Sequence, residues 1–291
     1  MISRSNMLRR VQNAYVKINN SMYRYGIRST EKLSLPDFLG IGIDKAGTTW
    51  LYENLDKHKD IFVSRQKELN YFDVNIATRS LMSYSDNFKD GANKVKGEIT
   101  PGYAYIPVSC IRFIRDIIPR VRLIFLIRNP VEQQWSFAVH QLARKYGTAV
   151  SDVPEYKFFE LFKKNSFYRI GGYMGILNRW LSQFSTEQLY IGFYDDIRKQ
   201  PRRLLTEVFN HIGVSSEIDW NLLPYDKIIV PPAGPQYRGL DGGRGVVDPK
   251  HRSSVSFMPD KYRTFLEEVY DDDIRALREM FGEKCSDWTH S

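Results

Sequence analysis

Two glycines and a lysine near the start of the chain have the spacing of an anion-binding loop. Gly42 and Gly47 are separated by four residues, Lys45 lies between them, and Thr48 and Thr49 follow. Glycines let backbone N–H groups approach phosphate oxygens, and a helix start adds unpaired donors and its positive dipole end. The P-loop pattern of triphosphate-binding enzymes has a lysine directly after the second glycine. Here Thr48 takes that place, so the loop predicts phosphate binding near the strand end; the alternative is an ordinary turn with a solvated lysine.

A second candidate for phosphate binding follows the apolar run VRLIFLI at 121–127. The run ends at Arg128, after which Asn129 can cap a helix and Pro130 suits its first position. Arginine offers a fork of donors that fits a phosphate, and Ser136, about two helical turns further on, can add a hydroxyl. Taken alone, a serine such as Ser136 is more often an ordinary helix residue. Both junctions are expected at the carboxyl edge of a sheet, where α/β folds bind ligands.

Two glutamates are candidates for a general base. Lys67 and Glu68 come just before the aromatic pair at 71–72, which places them in a loop anchored by the rings. Glu98 falls near a presumed strand end. A positioned carboxylate takes up a proton from a reacting hydroxyl, whereas a solvated surface role is the alternative for Lys67 and Glu68.

The elements that must position these residues alternate between strand and helix patterns. Apolar or β-branched runs predict strands at 38–43, 60–64, 96–99, 121–127 and 189–193. Periodic patterns predict helices from Thr48 and at 79–90, 107–118, 130–145, 155–164, 173–184, 201–212 and 260–281. We therefore predict an α/β fold in which a single P-loop-type domain, residues 31–291, has a central, mainly parallel sheet flanked by helices.

Residues 1–30 form a separate arm with six basic and no acidic residues. The apolar residues recur every three or four positions, which predicts a basic amphipathic helix: Met7, Val11, Ala14, Ile18, Met22 and Tyr25. Such a helix binds anionic membrane surfaces, so peripheral membrane contact through residues 1–28 is one hypothesis and docking on the domain is the other.

The net charge indicates the class of binding partner, and the cysteine content indicates the cellular compartment. The net charge of +8 favours a polyanionic partner or a phosphate-rich cofactor. Cys110 and Cys285 have neither metal-ligand spacing nor the density of a disulfide scaffold. With apolar runs far shorter than a membrane span, we expect a cytoplasmic protein, located at the inner face of a membrane if the arm binds lipid.

Three segments together resemble the sulfotransferases that use 3′-phosphoadenosine 5′-phosphosulfate (PAPS). Residues 45–49 are similar to the K-x-G-T-T loop that binds the 5′-phosphosulfate. Residues 128–130 with Ser136 resemble the 3′-phosphate motif, in which a serine follows the arginine by eight positions. Residues 67–72 are similar to the K-E-x-x-F-F segment of bacterial and heparan-type carbohydrate sulfotransferases. The resemblance extends over about residues 38–281.

The resemblance implies a reaction and a set of contacts. The reaction is sulfuryl transfer from PAPS to a hydroxyl of a saccharide or glycolipid, with adenosine 3′,5′-bisphosphate (PAP) as product, no metal and no nucleic acid partner. Glu68 would be the general base and Lys45 would stabilise the leaving phosphate. The implied cofactor contacts are Lys45, Ala46, Gly47, Thr48, Thr49, Trp50, Arg128, Ser136, Tyr173, Lys250, His251 and Arg252. The implied acceptor contacts are Lys67, Asn70 and Glu98.

The chain departs from the heparan-type pattern at two positions. Ile99 stands where a lysine is frequent, and Asn70 stands where some members have a histidine. Two other classes compete with the resemblance. A P-loop kinase predicts a lysine at position 48 and an aspartate after the buried strand, where the chain has Thr48 and Arg128. A basic polyanion-binding module explains the charge but does not need two ordered phosphate motifs.

Overall fold

A parallel sheet of five strands forms the centre of the structure, a computed structural model. The structure describes residues 29–147, 152–169, 171–227 and 258–288, together with Ala14, Val16, Ile18 and Met22. The strands are β1 (Phe38–Gly42), β2 (Ile61–Val63), β3 (Val95–Ile99), β4 (Arg122–Ile127) and β5 (Leu189–Phe193). They lie in the order β2-β3-β1-β4-β5, and all four neighbouring pairs are parallel.

Helices connect the strands and cover the sheet, as the right-handed crossovers of a parallel sheet require. The described helices are α1 (Thr48–Asp56), α2 (Leu81–Ser85), α3 (Val108–Ile117), α4 (Pro130–Tyr146), α5 (Glu155–Lys164), α6 (Ser166–Arg169), α7 (Gly172–Leu181), α8 (Asp196–Lys199), α9 (Pro201–Ile212) and α10 (Asp260–Phe281). Every residue of β1 is buried, as is all of β4 except Arg122. Burial on both faces explains why these strands are almost wholly apolar. The predicted α/β class is therefore confirmed.

The last helix closes the domain against α4, α5 and α7. Trp135 of α4, Phe158 of α5 and Tyr262 of α10 stack with ring centroids 4.8–5.5 Å apart. Aromatic side chains bury large areas, so this stack is a major contact of α10. Further along the helix, Asp273 reaches the start of α7. Helix α10 thus touches two elements that border the edge where β1 and β4 end.

Most predicted elements have the expected boundaries, but the region after β2 differs. The helix predicted at 79–90 is instead α2, capped by Ser80, followed by a 3₁₀ turn at Asp86–Gly91. A π-helical turn at Tyr71–Asn75 was not predicted. The ring of Tyr84 stacks on that of Tyr71 at 4.5 Å, so tertiary packing of aromatic residues shapes this segment more than local periodicity does.

The described part of the N-terminal arm is helical and makes one buried contact. Val16 is 1% exposed and belongs to the core, whereas Ile18 is 61% exposed. The predicted apolar stripe contained Ile18 and not Val16, so it does not mark the buried side at these positions. The rest of the arm lies outside the described residues, and membrane contact through residues 1–28 stays a prediction. Within the described residues, no helix combines the length and apolarity needed to cross a bilayer.

Candidate functional site

The loops after β1 and β4 meet because these strands are neighbours in the sheet. The Arg128 Nη1 donates to the Lys45 carbonyl oxygen at 3.3 Å. One helical turn into α4, Gln133 Nε2 donates to the Asp44 carbonyl oxygen at 2.8 Å. The two phosphate motifs predicted from the sequence therefore border a single site at the carboxyl edge of the sheet.

The loop after β1 ends at Gly47, which precedes the first residue of α1. Gly47 has a φ of 91° and provides no side-chain cap. A Cβ at this position would lie 2.2 Å from Ile197 Cδ1, so the loop conformation requires glycine. The N–H groups of residues 48–50 lack intrahelical partners, and they carry the positive end of the helix dipole. This helix start suits a phosphate or sulfate oxygen.

Lys45 and Arg128 supply the positive charge of the site. Burial lowers the pKa of Lys45 to about 8, while the carboxylates of Asp44 and Glu68 raise it. Arg128 lies over the ring of Tyr194, with its guanidinium carbon 4.5 Å from the centroid. A cation over the face of an aromatic ring is attracted to it, so the Tyr194 ring stabilises the position of the Arg128 guanidinium.

The lowered pKa of Lys45 predicts a pH dependence of nucleotide affinity. A lysine with this pKa is cationic below about pH 8 and neutral above it, and a bound anion raises the pKa. Above pH 8, we expect the affinity for PAP to fall by about tenfold per pH unit until the bound-state pKa is reached. The phosphates do not titrate in this range, because their second pKa is about 6. Calorimetric titration with PAP from pH 7 to 9.5 tests this.

The matched variant for this pH experiment is Lys45→Arg, which keeps its charge throughout the range. Its affinity should change by less than about twofold over the window where the wild type loses affinity. A flat wild-type profile would show that the Lys45 ammonium does not contribute to binding.

Glu68 lies on a loop that is bonded to the end of β3. Its backbone N–H donates to the Ile99 carbonyl oxygen at 3.2 Å, and Asn70 Nδ2 donates to the Glu68 carbonyl oxygen at 2.7 Å. The carboxylate forms an ion pair with Lys67 and its side chain is 45% exposed. Glu68 also acts electrostatically on Lys45 and Asp44. Glu68 therefore lies within electrostatic range of the loop after β1, and its role as general base stays a prediction.

Glu98 does not face a cleft, which corrects its interpretation as an acceptor contact or base. The residue is 0% exposed. Its carboxylate accepts hydrogen bonds from the hydroxyls of Tyr84 at 2.6 Å, Thr100 at 2.7 Å and Tyr103 at 2.7 Å. A buried carboxylate with three donors is a structural group that ties β3 to the aromatic cluster. Burial raises the pKa of Glu98, although these hydrogen bonds lower it.

Four of the predicted cofactor contacts are buried: Ala46, Thr48, Trp50 and Tyr173. Trp50 is 2% exposed and its indole N–H donates to the Tyr225 carbonyl oxygen at 3.0 Å. The Tyr173 hydroxyl accepts a hydrogen bond from the Arg128 N–H at 3.0 Å. The buried side chains of Trp50 and Tyr173 therefore stabilise the backbone around the site, and direct contact of either with a nucleotide stays a prediction. Lys250, His251 and Arg252 lie outside the described residues.

Two residues near the site were not identified from the sequence. Burial lowers the pKa of His140 to about 4, and Lys45 lowers it further while Glu68 raises it, so His140 lies within electrostatic range of both. Burial raises the pKa of Asp73 to about 6, and Glu68 also raises it. His140 follows Ser136 by one helical turn, a spacing that would have placed both on one face of α4. Asp73 had no such signal.

The described residues contain no group of three or more histidine, cysteine, aspartate or glutamate side chains arranged to hold a metal ion. The parallel sheet and the glycine loop at a helix start define a P-loop-type α/β fold, and Lys45 and Arg128 make the edge between β1 and β4 a candidate anion site.

The comparisons with known proteins identify the family. The sulfotransferase domain model matches residues 35–224. The chain belongs to the PAPS-dependent sulfotransferase family. A solved structure of a sulfotransferase from Alicyclobacillus acidocaldarius has the same fold, with a TM-score of 0.63 at 20% identity, over 88% of this chain and 99% of that one.

Curated relatives are considerably longer than this chain. A bifunctional heparan sulfate N-deacetylase/N-sulfotransferase 4 of Mus musculus is 25% identical over 279 residues, 87% of this chain and 31% of that protein. The membrane-associated sulfotransferase kil1 of Dictyostelium discoideum is 34% identical over 119 residues, 38% of this chain and 25% of that protein. The chain thus spans about a third or less of the length of these relatives.

Proposed function

We propose that this protein transfers a sulfuryl group from PAPS to a hydroxyl of a saccharide or glycolipid. The observation that carries the proposal is the hydrogen bond from the Arg128 guanidinium to the Lys45 carbonyl oxygen. It joins the motif for the 5′-phosphosulfate to the motif for the 3′-phosphate, and PAPS carries both groups on one adenosine. A nucleotide without a 3′-phosphate would leave Arg128 and Ser136 without a ligand.

The chain offers suitable donors at both ends of such a nucleotide. Lys45 and the N–H groups of residues 46–49 would hold the 5′-phosphosulfate, since the start of α1 has no side-chain cap. Arg128, with a side chain 17% exposed, would bind the 3′-phosphate together with the Ser136 hydroxyl. Charge-assisted hydrogen bonds of this kind are about twice as strong as neutral ones. The expected contribution of Lys250, His251 and Arg252 is part of the proposal.

When bound, PAPS supplies a sulfuryl group activated by its bond to phosphate. Glu68 accepts the proton of the acceptor hydroxyl as the hydroxyl oxygen bonds to sulfur and the bond from sulfur to the phosphate oxygen breaks. Lys45 and the loop N–H groups stabilise the negative charge that develops on that phosphate oxygen. Lys67 forms an ion pair with the Glu68 carboxylate and lies beside the proposed base.

The acceptor class is proposed from the relatives and from the cationic loop around Glu68. One relative is named for heparan sulfate and for N-sulfation, and another is named as membrane-associated. In this proposal, Lys67, which pairs with Glu68, and Asn70, which donates to the Glu68 carbonyl oxygen, contact the acceptor beside the base. Amino as well as hydroxyl groups therefore belong in an acceptor panel, and lipid-linked saccharides test the link to a membrane.

Nucleotide selectivity tests the donor. We expect the wild type to bind PAP about 10- to 100-fold more tightly than adenosine 5′-phosphate, because Arg128 adds a charge-assisted pair with the 3′-phosphate. Arg128→Ala should lose most of this preference, and Arg128→Lys should recover only part of it, since an ammonium lacks the planar fork. Isothermal titration with both nucleotides measures the ratio. Equal affinities in the wild type would contradict PAPS as donor.

A transfer assay tests the reaction itself. Radiolabelled sulfate from PAPS should appear in a saccharide acceptor from a panel of neutral, anionic, amino and lipid-linked oligosaccharides. Thermal unfolding with added ligands tests the two alternative classes. A higher melting temperature with ATP and magnesium, but not with PAP, would favour the kinase alternative. Stabilisation by heparin alone would favour the polyanion-binding alternative. Neither alternative explains the family match together with Thr48 at the position of the P-loop lysine.

A further inference from the structure

A series of hydrogen bonds connects the backbone of Arg128 to the last helix, α10. The Asp273 carboxylate of α10 accepts hydrogen bonds from the N–H groups of Tyr173 at 2.9 Å and Met174 at 2.8 Å. The Tyr173 hydroxyl then accepts the hydrogen bond from the Arg128 N–H at 3.0 Å. The backbone of Arg128 is therefore linked through α7 to a carboxylate 145 positions later in the chain.

The contact between Asp273 and α7 is close and specific. Asp273 is 8% exposed and both of its carboxylate oxygens accept a backbone N–H. A Cβ on Gly172 would lie 2.4 Å from Asp273 Oδ2, and Gly172 has a φ of 65°, so glycine is required here. A carboxylate at a helix start satisfies unpaired N–H groups and interacts favourably with the dipole. Asp273 thus determines where α7, and with it Tyr173, is located.

A second connection joins α10 to the Arg128 side chain through Glu132 of α4. Glu132 Oε2 lies 3.6 Å from Arg128 Nη2, and Glu132 Oε1 lies 3.3 Å from Arg263 Nη2. Alone, the negative charge of Glu132 would pair with Arg128 and repel a phosphate approaching it. Arg263 shares that carboxylate and offsets its charge, which leaves Arg128 more available to an anion.

We propose that helix α10 positions Arg128 for the 3′-phosphate, with Asp273 acting on its backbone through Tyr173 and Arg263 acting on its side chain through Glu132. Asp273 and Arg263 are then positioning residues that set the preference for nucleotides with a 3′-phosphate. This inference rests on the proposed function. It adds that the selectivity of the pocket is controlled from a helix that does not itself carry either phosphate motif.

The first test is a double-mutant cycle between Asp273 and Tyr173. Asp273→Asn keeps the shape but loses the charge and one acceptor, and Tyr173→Phe removes the hydroxyl. Each single variant should weaken PAP binding by about three- to tenfold and change adenosine 5′-phosphate binding by less than about twofold. The double variant should bind PAP no more weakly than the weaker single variant does, because the two substitutions interrupt the same series of hydrogen bonds. Titration calorimetry measures all eight dissociation constants.

The second test uses the partly exposed ion pair of Arg263 and Glu132, and it does not depend on the stability of α7. Arg263→Ala should weaken PAP binding by about three- to tenfold, because Glu132 then pairs with Arg128 without a competitor. Adding Glu132→Gln to that variant should restore the affinity to within about twofold of the wild type. A purely structural role of Arg263 predicts no such rescue.

The control is Ser80→Ala, which removes the side-chain cap of α2, a hydrogen bond of 3.1 Å from the Ser83 N–H. It should lower the melting temperature, as cap loss does, without changing the ratio of the two nucleotide affinities. If wild-type protein prefers PAP and all the α10 variants keep that preference, the inference is wrong while the proposed function stands. If wild-type protein shows no preference for PAP, the proposed function fails first.

Discussion

Replacing Glu68 by glutamine is expected to lower kcat for sulfuryl transfer by about 10²- to 10⁴-fold, the range for loss of a positioned general base. The amide has nearly the same shape but does not take up a proton. Affinity for PAP should stay within about twofold of the wild type, since Glu68 contacts Lys67 and loop backbone rather than either phosphate motif. Steady-state transfer kinetics and PAP calorimetry, run on the same preparation, measure both quantities.

The control for this variant is Glu217→Gln, an exposed glutamate after α9 that should leave kcat unchanged. A near-normal kcat for Glu68→Gln would refute the assignment of the base. Another carboxylate within electrostatic range of Glu68 is that of Asp73, whose pKa burial raises to about 6. If Asp73→Asn abolishes turnover while Glu68→Gln does not, then the base is Asp73. Glu98 does not compete for the role, because three hydroxyl donors already occupy its buried carboxylate.

Replacing Lys45 by methionine is expected to lower kcat by about 10²- to 10³-fold, which is the cost of removing one donor to a developing negative charge. It should also weaken PAP binding by about tenfold or more, because the ammonium also faces the phosphate in the ground state. Lys45 is the residue whose backbone carbonyl accepts from Arg128, and that contact does not need the side chain. Single-turnover transfer with PAP displacement separates the two effects.

Lys57→Met is the control for charge removal, since Lys57 is an exposed lysine at the end of α1, paired with Asp56. This substitution should leave both kcat and the affinity for PAP unchanged. Lys45→Arg should retain binding at pH 7 and recover part of kcat, because its charge is kept but its larger head does not occupy the same place. A Lys45→Met variant with normal kcat and weakened binding would mean that Lys45 holds the nucleotide without stabilising the leaving group.

The local sequence was enough to predict the elements and the two phosphate motifs. The strand at 189–193 and the helices at 155–164, 201–212 and 260–281 have the predicted boundaries, because their hydrophobic periods and proline or glycine ends are strong. Lys45 and Arg128 were expected at one sheet edge because both follow apolar runs that read as parallel strands. That adjacency is confirmed by the hydrogen bond between them.

Side-chain environment is where sequence reasoning was insufficient. Glu68 and Glu98 were both candidates for the general base, yet the Glu68 side chain is 45% exposed and Glu98 is completely buried. The difference comes from Tyr84 and Tyr103, whose hydroxyls reach Glu98 from elsewhere in the chain. Local periodicity carries no information on such partners, and neither does it show that Trp50 and Tyr173 support the site from within the core.

The sequence by itself determined the α/β class, the glycine loop and the order of the two phosphate motifs, because turn chemistry and hydrophobic periodicity are local properties. Tertiary structure alone decided the burial of Glu98, the lowered pKa of Lys45 and the link from Asp273 to Arg128. These depend on burial and on contacts between residues far apart in the chain. Such properties arise when helices and strands pack, and no short stretch of sequence contains them.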